Sequence, residues 1–219
     1  MAEPQRNPSQ NAQTIRAVIL DYGDVISLPR DPGVLDEMAA IFKLPADEFR
    51  KHYDFFRYDY DRGSFDADEY WTRIGEKAGV TPTADDITHL RAADVRMWAR
   101  LNEAILRWAD QLRAAGFKTA VLSNMHHDMV ERVQANGEWS RRFDCLTLSS
   151  AIKLAKPEPE IFKYCLKCLK VAPEEALFID DREPNVRAAE EIGIRGIVAP
   201  STEELKEKLK AMGFEPVPE

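Results

Sequence analysis

Five short apolar runs punctuate the chain: residues 15–21 (IRAVILD), 118–124 (KTAVLSN), 145–150 (CLTLSS), 176–181 (ALFIDD) and 195–199 (RGIVA). None alternates cleanly between apolar and polar positions, which is the pattern of strands covered on both faces in a parallel sheet. Between most of them the apolar residues recur at helical spacing. Asn102 opens one helix, which stops at Gly116; Pro159 sits in the first turn of another; a third stops at Gly193; Ser201 and Glu204 frame a fourth as a capping box. Strands alternating with helices predict an α/β chain with a Rossmann-like, doubly wound parallel sheet.

From about Asp31 to Trp98 this rhythm gives way to helices alone. Helix starts fall at Asp31-Pro32, at Asp66 with Glu69, and at Thr83, with stops near Gly63 and Gly79. The predicted organisation is a core over 15–30 and 99–219 and a helical insert over 31–98, placed after the first strand. Tyr53, Phe55, Phe56, Tyr58, Tyr60, Phe65, Tyr70, Trp71 and Trp98 make the insert aromatic. They are expected to form its own small core, with a few facing a cleft beneath it. Residues 1–14 are polar, lack the apolar centre of a signal peptide and read as a disordered tail.

Composition changes the picture only in part. The 219 residues are 44% hydrophobic and 31% charged, ordinary for a globular protein with a substantial core. A formal net charge of -8 weighs against nucleic acid or an anionic membrane surface as partner. It leaves a small anionic substrate open, since a site can be locally positive. No stretch is apolar for the roughly 18 residues a spanning helix needs. Three cysteines in a chain of this size point to free thiols in a reducing cytoplasm. Cys165 and Cys168 read as part of a buried helix face with Ile161, Phe162, Leu166 and Leu169, rather than as half a zinc site.

In open α/β sheets ligands bind beyond the carboxyl ends of the strands. There the chain places Asp21, Ser123-Asn124, Lys156 in the loop after the third strand, and Asp180-Asp181. Clustered carboxylates repel one another unless a cation joins them, and Mg²⁺ prefers such oxygen ligands. A hard cation beside a lysine and a hydroxyl suits a phosphoryl group, and one carboxylate can act as nucleophile.

The segments ILDYGDVIS, VLSN, AKPEPEIF and FIDDREPNVRAAEEIGI, in this order, resemble the four motifs of the haloacid dehalogenase superfamily, over about residues 15–199. Within it the chain is most similar to the sugar-phosphate phosphatases and the N-terminal phosphatase domain of soluble epoxide hydrolases. The resemblance implies that the helical insert is the family's cap. It implies that Asp21 is nucleophile and Mg²⁺ ligand, and that the Gly23 carbonyl is a further ligand. Ser123 and the Asn124 amide would hold phosphate oxygens, and Lys156 would neutralise the nucleophile and the phosphoryl group. Asp181, with Asp180 in support, would complete the metal site, with Asn185 at its edge. The implied reaction is Mg²⁺-dependent hydrolysis of a small phosphomonoester through an aspartyl-phosphate. The alternatives are hydrolysis of another bond by the same Asp21 ester chemistry, or phosphate binding without catalysis.

Gly23 departs from the family pattern, which has a second aspartate there to protonate the leaving oxygen. Asp24, one residue on, would point away from the site in an extended chain. The dehalogenating branch fits less well: its tyrosine stands two residues after the nucleophile and its fourth motif carries a serine, where this chain has Tyr22 and Asp180-Asp181. His126 and His127 follow the Ser123-Asn124 loop and read first as solvated, with a proton-transfer role as the other possibility. Arg182 is expected to pair with Glu183. Arg57, Tyr58 and Arg62 read first as ordinary residues of the insert, and otherwise as substrate contacts.

Overall fold

The computed structural model describes residues 15–219; the polar tail expected over 1–14 lies outside the described residues. Every apolar run contains a strand: β1 (Ala17–Leu20), β2 (Lys118–Ser123), β3 (Cys145–Leu148), β4 (Ala176–Asp180) and β5 (Arg195–Val198). All pairings are parallel and the spatial order is β3-β2-β1-β4-β5. The chain is thus an α/β protein of the Rossmann-like type. β1 lies at the centre, with Leu20 opposite Val121 on one side and Ile179 on the other. Whatever follows Leu20 therefore emerges between the ends of β2 and β4.

The insert holds α1 (Pro32–Ile41), α2 (Ala46–Phe55), α3 (Arg57–Arg62), α4 (Ala67–Ala78) and α5 (Ala84–Met97). Their starts are capped as the side chains dictate. Asp31 accepts from Gly33 N–H, Asp66 from Glu69 N–H, and Thr83 and Asp86 form a reciprocal box. α3 stops at Gly63, whose φ of +73° disfavours side-chain-bearing residues. Phe42, Phe49, Tyr53, Tyr60, Tyr70 and Trp71 pack into a core belonging to these helices. Two expected members do not join it: Phe55 is 67% exposed and Tyr58 43%. Neither packs against that core, and Tyr58 instead reaches Glu158 of the sheet domain.

The segments entering and leaving the insert run side by side. Ser27 and Leu101 form an antiparallel bridge, Leu28 N–H donates to Arg100 O, and Asn102 N–H to Ile26 O. Beyond them come α6 (Glu103–Ala114), α7 (His127–Asn136), α8 (Ser149–Ile152), α9 (Pro159–Leu169), α10 (Glu183–Glu191) and α11 (Thr202–Ala211). Successive strand residues point to opposite faces, so the sheet carries two apolar layers. Val18, Leu20, Val121, Leu177 and Ile179 meet Ile105, Trp108 and Leu112 of α6 and Leu205 and Leu209 of α11. Ala17, Ile19, Ala120, Leu122 and Phe178 meet Phe162 and Cys165 of α9 and Val186 of α10. Each large side chain so buried stabilises the fold by ~1.5–3 kcal/mol.

One expectation is corrected here. Cys168 does not belong to the buried face of α9; it is exposed and bonded to Cys145 of β3, 23 residues earlier. Three residues of helix place it about 60° around from buried Cys165, at the rim of the apolar stripe. Edge strand β3 runs beside that rim. Burial pushes the remaining thiol, Cys165, up to about 12. Among the described residues no helix is long and apolar enough to cross a membrane.

Candidate active site

The carboxyl ends of β1, β2 and β4 meet beneath the insert. Asp21 continues the ladder of β1, its N–H donating to Ile179 O at 2.9 Å. Its side chain accepts from Tyr22 N–H at 2.7 Å. The chain then folds back at once: Gly23 has φ -64° and ψ 130°, Asp24 takes the left-handed φ of +57°, and Ser27 N–H closes the loop onto Tyr22 O at 2.7 Å. The chain past Asp21 is therefore not extended, because the loop turns sharply between Asp21 and Ser27, and Asp24, expected to point away from the site, lines the same cavity as Asp21.

Lys156 is 2% exposed, and its ammonium lies 2.7 Å from Asp21 Oδ1 and 2.6 Å from Asp180 Oδ2. The loop that carries it is held by Asn124, whose side chain accepts from Lys156 N–H at 2.7 Å and donates to Lys156 O at 2.8 Å. Asp180 is buried and fully engaged. Besides Lys156 it accepts from Arg182 N–H at 2.8 Å and from the Asn185 amide at 3.0 and 3.1 Å. Ser123, 2% exposed, lines the same cavity with Asp21, Gly23 and Asp181. Asp21, Asp180 and Asp181 each bring a carboxylate oxygen within 4.8 Å of the others.

Three carboxylates share one ammonium, and the titrations reflect this. Burial, with Asp180 and Asp181 adding to it against the pull of Lys156, pushes Asp21 up to about 7. Burial, Asp180 and Asp24 push Asp181 up to about 6. Burial works against the charge of Lys156, but Asp180 and Asp21 prevail and hold its pKa above the ordinary value.

A cavity of about 750 Å³ opens from these residues toward the insert. Arg30, Arg57, Tyr58, Asp61, Trp98 and His126 also line it. His126 is not the solvated loop residue expected. It is 1% exposed, stacks on Tyr60 and approaches Asp94 at 3.5 Å, and burial lowers its pKa. Its position as the residue before α7, beneath the insert, decides this. His127, one residue on, faces solvent. Glu183 pairs with Arg187, one helical turn along α10, instead of with Arg182, which lines the cavity. Arg62 leaves the cavity to bind Glu158 of the core at 2.6 Å, and the Tyr58 hydroxyl donates to the same carboxylate at 2.8 Å.

Arg30 was missed by sequence reasoning. It stacks over Tyr53 and Trp98, with its guanidinium carbon 5.5 and 5.2 Å from the ring centroids. Only the fold brings these segments together, so no local pattern could have singled it out.

The chain is 33% identical to bifunctional epoxide hydrolase 2 of Rattus norvegicus over 106 residues, 47% of this chain, and spans only 19% of that enzyme. It is 27% identical to the D-ribitol-5-phosphate phosphatase of Bacteroides thetaiotaomicron over 195 residues, covering 82% of this chain and 89% of the relative. A haloacid dehalogenase family enzyme of the same bacterium, crystallised with magnesium and inorganic phosphate, superimposes with a TM-score of 0.67 at 25% identity, covering 84% of this chain and 93% of its own. The sequence profile of haloacid dehalogenase-like hydrolases matches residues 15–193, and with four motif segments gathered on one sheet edge the chain belongs to that family of hydrolases.

Proposed function

We propose that the protein is a Mg²⁺-dependent phosphatase that hydrolyses a small phosphomonoester through an aspartyl-phosphate on Asp21. The observation that carries this reading is the buried Asp21–Lys156 pair at the end of β1, with Asp181 beside it and the cavity beyond. The donor set fits Mg²⁺: hard carboxylate oxygens, too close together to be ionised at once without a cation. Asp21 and Asp181, with the Gly23 carbonyl, would hold the ion. Asp180, already bonded to Lys156, Asn185 and the Arg182 N–H, would support them. When bound, the ion supplies positive charge to the phosphoryl oxygens.

The chain's own groups do the rest. The sheet fixes Asp21 so that one carboxylate oxygen faces the phosphorus of a bound ester. Lys156 offsets the charge of nucleophile and phosphoryl group, and Asp180 keeps it in place. The Ser123 hydroxyl and Asn124 amide donate to phosphoryl oxygens, while the Asn124 side chain fixes the Lys156 loop. The helical insert shields the cavity and selects what enters. Likeness to a phosphatase and to an enzyme holding magnesium and phosphate supports this chemistry over dehalogenation.

The test is turnover of p-nitrophenyl phosphate. Activity should vanish in excess chelator, return with Mg²⁺ and recover poorly with Ca²⁺, whose looser coordination suits this set less. Asp21→Asn should be inactive with an unchanged circular dichroism spectrum. Full activity in chelator, or in Asp21→Asn, overturns the assignment. Phosphate binding without turnover would leave a binding protein instead.

A further inference from the structure

The backbone at Gly23, with φ -64° and ψ 130°, is open to any residue. Glycine is therefore not required there for conformational reasons. What matters is the missing side chain. A Cβ added at Gly23 would meet the Trp98 indole at 3.5 and 4.0 Å, the nearest side-chain atoms outside its own turn. That is ordinary van der Waals contact: the edge of the indole borders the space an acid at this position would enter.

Trp98 is also held in place. Its carbonyl accepts from the Tyr22 hydroxyl at 2.6 Å, which ties the segment leaving the insert to the nucleophile loop. Its Nε1–H points to the Tyr53 hydroxyl at 3.4 Å, and the Arg30 guanidinium covers the ring. Trp98 lines the cavity together with Gly23, Leu35 and Tyr58.

We propose that Trp98, bordering a general-acid position that carries no side chain, forms the wall against which the leaving group lies, which makes this a site for phosphomonoesters of planar, acidic alcohols of the phenol or enol class. The proposal rests on the phosphatase reading above. An Asp21 oxygen bonds to phosphorus as the bond from phosphorus to the leaving oxygen breaks. The leaving group departs as an oxyanion and takes its proton from water in the cavity. A second water attacks the aspartyl-phosphate, restores the Asp21 carboxylate and releases phosphate, its proton neutralising the hydroxide left by the first. No protein acid is consumed, so only leaving groups stable as anions depart quickly. A flat aromatic or enol group gains stacking on the indole as well.

The experiment measures kcat and KM for phosphate esters of graded leaving-group pKa with the wild type, Gly23→Asp, Trp98→Leu and Gly23→Asp/Trp98→Leu. Leucine keeps the site apolar and packed. The wild type should favour phenyl over alkyl phosphates by ~10²-fold or more, the scale of one general acid. Gly23→Asp alone should leave that preference in place, and the double variant should shrink it at least tenfold. Trp98→Leu should raise KM for phenyl phosphate more than for an alkyl phosphate. An equal gain from Gly23→Asp alone, or no change in KM for phenyl phosphate, overturns the proposal. Calorimetry separates this from failure of the phosphatase reading. Asp21→Asn with Mg²⁺ should bind phenyl phosphate several-fold more tightly than ethyl phosphate, and Trp98→Leu in that background should abolish the difference. Equal binding of the two esters by Asp21→Asn would refute the wall even if the enzyme is a phosphatase.

Discussion

The Lys156 ammonium lies 2.7 Å from the Asp21 carboxylate, and both residues are buried. A buried charge that loses its partner costs ~3–5 kcal/mol. Lys156→Met should therefore destabilise the protein by about that much, besides abolishing turnover. Saturating Mg²⁺ should recover part of the stability, since it restores positive charge beside Asp21. Urea denaturation with and without Mg²⁺ measures both effects. A variant as stable as the wild type would show that the pair contributes nothing to the fold.

The acids at the site set a pH dependence of stability. Asp21 titrates at about 7 and Asp181 at about 6, against 3.8 for a free aspartate. An acid raised in the folded state ionises first in the unfolded chain. Between about pH 4 and 7 the folded state therefore binds more protons, and this contribution to stability falls as pH rises, levelling off above. In chelator, Asp21→Asn should gain stability relative to the wild type progressively from pH 4 to pH 7. A difference that stays flat across that range contradicts the raised titration.

Inside the insert, Arg57 lies 2.9 Å from Asp94 Oδ2 and 3.0 Å from Asp61 Oδ2, and the Tyr53 hydroxyl donates to Asp94 at 2.7 Å. Asp94 is wholly buried. Arg57→Met should cost ~3–5 kcal/mol by leaving it without a cation. Arg57→Met/Asp94→Leu should cost clearly less than the sum of the single variants. Additive losses in the denaturation midpoints would show that the two residues are not coupled.

Thiol titration checks the cysteines. In denaturant without reductant, Cys165 should be the one reactive thiol; after reduction all three should react. Three thiols before reduction would return the protein to the free-thiol state that its size and composition suggest.

Much was legible along the chain. Five short, largely apolar runs without clean alternation read as strands of a parallel sheet, and the three central ones, β1, β2 and β4, are buried along nearly their whole length. Asp31, Asp66 and Thr83 announced their helices because a cap is a contact between residues two or three apart. Asp21, Ser123, Lys156 and Asp180-Asp181 could be placed on one edge because strands of a parallel sheet end on the same side. Those inferences need only local periodicity and the direction of the chain. What the sequence could not carry was contact between segments far apart in it. His126 is buried because the insert covers it. Cys168 bonds Cys145 because α9 lies along edge strand β3. Trp98 stands against Gly23 because the two ends of the insert return side by side, 75 residues apart in number but neighbours beside Asp21. Side-chain chemistry specified the Asp21 edge of the cavity; the rest of its lining was decided by packing that exists only once the chain has closed on itself.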